Sequence, residues 1–86
     1  MFWNYRVLEH DKMFYIHEVY YNDSGDITAI SEDPIHPQGE TLEELKNDLE
    51  YFRQAIKRPI LKKEEITFAP MDGMESGKVK RKGRKH

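Results

Sequence analysis

Trp3, Tyr5 and Val7 fall on one side of an extended chain, and Asn4, Arg6 and Leu8 on the other. This two-residue period predicts a half-buried strand over residues 3–9. The polar cluster Glu9-His10-Asp11-Lys12 suits a hairpin connection. A second strand is predicted over residues 13–21, which are aromatic and β-branched and contain no Gly or Pro. Its faces are Phe14/Ile16/Glu18/Tyr20 and Met13/Tyr15/His17/Val19/Tyr21. Asn22-Asp23-Ser24-Gly25 marks a reversal, because Asn, Asp and Gly tolerate the left-handed backbone that a tight turn needs. A shorter third strand follows over residues 26–31, and Pro34, Pro37 and Gly39 then keep residues 32–40 irregular.

The helical period begins at Thr41, an N-cap with Glu44 three residues on to complete a capping box. Leu42, Leu45, Leu49, Phe52 and Ile56 recur at steps of three and four, an apolar stripe expected to lie on the sheet. Glu43 and Glu44 near the start and Arg53, Lys57 and Arg58 near the end match the helix dipole. Pro59 ends the helix near Lys57. Ile60-Leu61 and Ile66-Thr67-Phe68 fit a short fourth strand or an extended arm over the sheet. The predicted architecture is α+β: a three-stranded antiparallel meander with one amphipathic helix packed on it. Residues 1–68 form the domain and residues 69–86 a flexible basic C-terminal tail, expected to stay disordered until something binds it.

Charge sharpens this division. All sixteen acids lie in residues 1–77 with eight Lys/Arg, a net of −8, whereas residues 78–86 hold six Lys/Arg and no acid. With 86 residues there is room for one small domain, and a domain of ~60 residues buries only about 60% of its unfolded surface. The aromatic inventory (Trp3, Tyr5, Tyr15, Tyr20, Tyr21) exceeds what one helix covers, so a homo-oligomer, most simply a dimer, is expected. No apolar run approaches the ~18 residues of a membrane span. The N-terminus lacks the pattern of a secretory signal, and a soluble, cytoplasmic protein is expected. The absence of cysteine excludes disulfides, thiolate metal sites and a cysteine nucleophile.

Little in the chain reads as catalytic. His17 and Glu18 are adjacent on a strand and so point to opposite faces; His10 and His86 sit in a turn and a tail, and His36 in a loop between prolines. No histidine pair has zinc-site spacing. Asp23-Ser24-Gly25-Asp26 lacks the spaced ligands and terminal Glu of a calcium loop, and a turn accounts for it. No phosphate cradle or nucleophile elbow is present. The expectation is a non-enzyme without metal or cofactor. The aromatic second strand carries too little positive charge for base stacking, since Glu18, Asp11 and Asp23 would repel phosphate. Lys78, Lys80, Arg81, Lys82, Arg84 and Lys85 are the residues suited to phosphate; six neutralised phosphates on a single strand give a log–log salt slope of about −4. Such contact would be nonspecific.

Four segments in order, Trp3-Asn4-Tyr5-Arg6-Val7, Tyr15-Ile16-His17-Glu18-Val19-Tyr20-Tyr21, Gly39-Glu40-Thr41-Leu42-Glu43-Glu44-Leu45 and Lys57-Arg58-Pro59-Ile60-Leu61, resemble the HicB-like family of small bacterial and archaeal proteins. The resemblance covers about residues 3–61. It implies a truncated RNase-H-like fold without nuclease carboxylates and, in toxin–antitoxin pairs, the binding and inhibition of a small HicA ribonuclease toxin. Typical members add a C-terminal DNA-binding domain; here a Gly/Lys/Arg tail follows Leu61. The leading expectation is therefore a HicB-type antitoxin that sequesters a small basic RNA-cleaving toxin. The alternative is a stand-alone nucleic-acid-associated protein that holds phosphates through its tail.

Overall fold

A computed structural model describes residues 1–70. The elements run β1 (Phe2–His10), β2 (Met13–Tyr21), β3 (Ile27–Ile30), α1 (Leu42–Lys57), β4 (Leu61–Lys62) and a 3₁₀ turn (Lys63–Glu65). The first three strands form the predicted antiparallel meander. β4 then pairs parallel to β1, Leu8 with Leu61 and Glu9 with Lys62, giving a mixed sheet of order β3-β2-β1-β4. The fold is α+β. No helix among the described residues is long and apolar enough to cross a membrane.

The two hairpin turns are built differently. Asp11 and Lys12 both have positive φ (56° and 65°), and His10 faces Met13, which makes a two-residue turn whose twist matches that of the strands. Between β2 and β3 the side chain of Asn22 organises the reversal. Its Oδ1 accepts from the backbone N–H of Ser24 and of Asp26, both at 3.0 Å, and Gly25 takes φ 86°. A register irregularity at Tyr20/Tyr21 then bends β2 against β3.

Alternation along the strands divides the core in two. On the helix side Tyr5, Val7 and Ala55 are buried together, with Ile16, Ile35 and Phe52 packed against them. On the other side Leu8, Val19 and Tyr21 are buried beneath Ile27, Ile30, Leu61 and Ile66. The second core exists because the chain beyond the helix wraps around the β1 edge. The Arg6 guanidinium donates to the Pro59 carbonyl (2.8 Å) and the Tyr21 hydroxyl (3.0 Å), and Tyr21 donates to Asn4 Oδ1 (2.8 Å). Arg58 reaches the Tyr5 carbonyl at 3.4 Å. Farther on, Ala69 N–H donates to the Ile27 carbonyl (2.8 Å) and Asn22 Nδ2 to that of Pro70 (3.3 Å). Residues 61–70 thus act as both the short strand and the covering arm.

Helix α1 begins as its sequence predicts. Thr41 is the N-cap, its Oγ1 accepting from Glu44 N–H at 3.1 Å. The return bond of the capping box is displaced by one residue, Glu44 Oε1 accepting from Glu40 N–H at 2.9 Å. Which side of the helix meets the sheet departs from expectation. Its buried residues are Asp48 and Ala55, while Leu42, Leu49 and Ile56 are exposed. The reason is polar. Tyr5, wholly buried on β1, donates its hydroxyl to Asp48 Oδ1 at 2.7 Å, and that bond turns the Asp48 side of α1 toward the sheet.

Candidate functional site

The same Tyr5–Asp48 contact shapes an open groove of about 750 Å³ beside the helix. Asp48 is 5% exposed, and its second oxygen, Oδ2, accepts from the Gln38 backbone N–H at 3.0 Å. This holds the loop before the helix against the helix's first turns. Gly39 makes the close approach possible, since a Cβ there would lie 2.5 Å from Leu45 N and 2.8 Å from Glu44 C. Trp3 and Tyr51, about half exposed, supply aromatic surface to the groove, and Glu40, Glu44 and Asp48 supply carboxylates. Both rings are braced by Tyr5, whose ring centroid lies 5.5 Å from that of Trp3 and 5.9 Å from that of Tyr51. Phe52 meets Tyr5 edge-on at 5.1 Å from behind.

A groove of acidic and aromatic surface suits a cation. The face of an indole or phenol ring attracts a guanidinium or ammonium group, worth about 0.5–1 kcal/mol at exposed sites. Nearby carboxylates accept charge-assisted hydrogen bonds from the same group. Such chemistry is binding chemistry: it selects for positive charge without activating a bond.

The residues weighed for catalysis lie elsewhere and do not converge. His17 is buried on the face away from the helix, where its Nδ1–H donates to the Ser31 carbonyl (3.1 Å) beside the Ser31 hydroxyl (3.2 Å). That hydroxyl donates to the Asp33 carbonyl (2.8 Å) and accepts from Glu18 N–H (3.2 Å). Burial pushes the His17 pKa below its ordinary value of 6.5, against the opposing effect of the Ser31 hydrogen bond. Glu18, equally buried, lies on the helix side and accepts from the Tyr20 hydroxyl. The two side chains therefore have separate partners, as strand alternation requires. His10 pairs with Glu64 at the sheet edge, a hydrogen bond that holds the Glu64 carboxyl below the usual range. His36 is exposed in its loop. Among the described residues no group of three or more His, Asp or Glu is placed to hold a metal ion.

Lys78, Lys80, Arg81, Lys82, Arg84 and Lys85, the proposed phosphate-binding residues, lie outside the described residues. The groove itself escaped the sequence pattern. Gly39, Thr41 and Glu44 were visible as a helix entry, but Trp3, Asp48 and Tyr51 join it only through the Tyr5 hydroxyl. The one available signal was Asp48, an acid next to the apolar stripe, which reads equally well as surface.

Fold and groove together define a small α+β protein with a cation-suited cleft at the junction of sheet and helix. Comparison with protein-family models, curated proteins and solved structures finds no match to the chain.

Proposed function

We propose that this chain is a non-catalytic binding protein of the HicB type that sequesters a small basic RNA-cleaving toxin. The groove between Trp3, Tyr51 and the carboxylates of Glu40, Glu44 and Asp48 carries this reading. A cationic side chain of the partner would enter it. The net charge of −8 over residues 1–77 would steer a basic protein inward and raise its association rate. The HicB-like order of segments over residues 3–61 supplies the toxin class, and the groove supplies the chemistry of contact.

The test is retrieval from the native host at moderate salt. Three full-length baits are compared: the native chain, Glu40→Lys/Glu44→Lys, and a chain with the six tail bases changed to Gln. The expected result is a small basic protein in stoichiometric yield, kept by the tail variant and lost by the groove variant. Its RNA cleavage, assayed alone, should stop when the native chain is added back. Recovery of nucleic acid only, released by salt and lost with the tail bases, would refute this reading in favour of a phosphate-binding role for the tail.

A further inference from the structure

The apolar row of α1 that turns away from the sheet has no cover within residues 1–70. Leu42, Leu49 and Ile56 are 69%, 45% and 68% exposed. Residues seven apart drift by only ~20° on a helix, so the three stand in one line along its ~24 Å length. Leu45 and Phe52, half-buried, extend the apolar surface from this line toward the sheet. The combined spacing of three and four is that of a helix-pairing seam with one helix missing.

We propose that a second copy of this chain fills the seam, its own α1 lying antiparallel across the first. The row is symmetric about Leu49. A two-fold axis there sets Leu49 on itself and Leu42 against Ile56 of the other copy, which is the self-complementarity that a closed dimer requires. Charge fixes the direction. Glu43 lies in the first turn and Lys57 in the last, so antiparallel packing places each acid beside a base and opposes the helix dipoles. Parallel packing would set Glu43 on Glu43.

Charge also selects the occupant. Beside the row stand Lys46, Arg53 and Lys57 against Glu43 and Glu50, a slight positive balance on an otherwise acidic body. A like copy meets little repulsion on this side of the helix, and a basic partner finds no attraction there. The groove is separate, because Asn47 and Tyr51, two residues either side of Leu49, project ~160° away from it. Dimerisation leaves both grooves open, so this inference stands whether or not the proposed toxin exists. A single pair of short helices buries less than the ~800 Å² per partner of a standard stable complex, so the dimer is weak and concentration-dependent.

Sedimentation velocity on the full-length chain tests it, from about 10 μM to 1 mM, a range suited to a sub-standard interface. The native chain should pass from monomer toward dimer. Leu49→Glu, which sets two carboxylates against each other on the axis, should weaken association at least about tenfold. Its thermal midpoint should stay native, since the site is exposed in the monomer. Glu43→Lys and Lys57→Glu should each weaken the dimer, and combining them should restore it. A chain that stays monomeric throughout overturns the proposal, as it would if a different partner covers the seam. So does association that survives Leu49→Glu but is lost in Trp3→Ala, and so does a combined charge reversal weaker than either single change.

Discussion

Replacing Tyr5 by Phe deletes one oxygen from the junction of sheet, helix and loop, and the structure says what should follow. The ring stays, so its contacts with Trp3, Tyr51 and Phe52 are kept and no cavity larger than the hydroxyl opens. What is lost is the 2.7 Å bond to Asp48, a carboxylate that is 95% buried. Hydrogen bonds to charged groups contribute ~1.5–3 kcal/mol, and the loss leaves a buried acceptor less satisfied. The expected destabilisation is therefore about 2 kcal/mol. In a domain of this size that lowers the thermal midpoint by roughly 8–16 °C. Asp48→Asn should cost less, ~1 kcal/mol, because an amide oxygen still accepts from Tyr5. Urea unfolding by far-UV circular dichroism, with both single variants and the double, gives the coupling directly. A coupling near 1 kcal/mol is expected. Additivity within ~0.5 kcal/mol, which is the behaviour of independent sites, would refute the claim that this bond orients the helix.

Three further outcomes follow from separate parts of the fold. Gly39→Ala should destabilise by ~1–3 kcal/mol, because the new methyl meets helix backbone at 2.5 Å; a neutral result in urea unfolding would show that the loop yields freely. Stability should fall as pH drops below 6.5, since the unfolded chain binds a proton at His17 that the buried imidazole resists; the slope is at most about 1.4 kcal/mol per pH unit and extends down to the depressed folded value. His17→Gln should flatten that part of the curve, and parallel curves for the two proteins would refute the assignment. Lys12→Gly should stabilise by ~0.5–1 kcal/mol, because φ of 65° strains a lysine and suits glycine; an unchanged urea midpoint would count against strain at the turn.

Much of the architecture was legible in local pattern. Period-two alternation located β1 and β2 to within a residue, Asn22 and Gly25 marked the reversal, and Thr41 with Glu44 marked the start of α1. These features depend on backbone geometry and on side chains a few residues apart, which a linear reading captures. Leu61 and Ile66 were visible as apolar, but their partners Leu8 and Val19 lie more than forty residues away, so the parallel strand and the second core were not. The groove was invisible for the same reason: Trp3, Asp48 and Tyr51 meet through a hydroxyl on another element.

The helix shows the division most plainly. Its sequence determined that it forms, where it starts and that one side of it is apolar, all consequences of spacing and capping. Which side faces the sheet was decided only by tertiary structure, because a single buried hydrogen bond from Tyr5 to Asp48, with small Ala55 allowing close packing, outweighed burying Leu42, Leu49 and Ile56. Periodicity counts apolar residues but cannot weigh a directional bond against them, since the donor's position is set by the folded sheet.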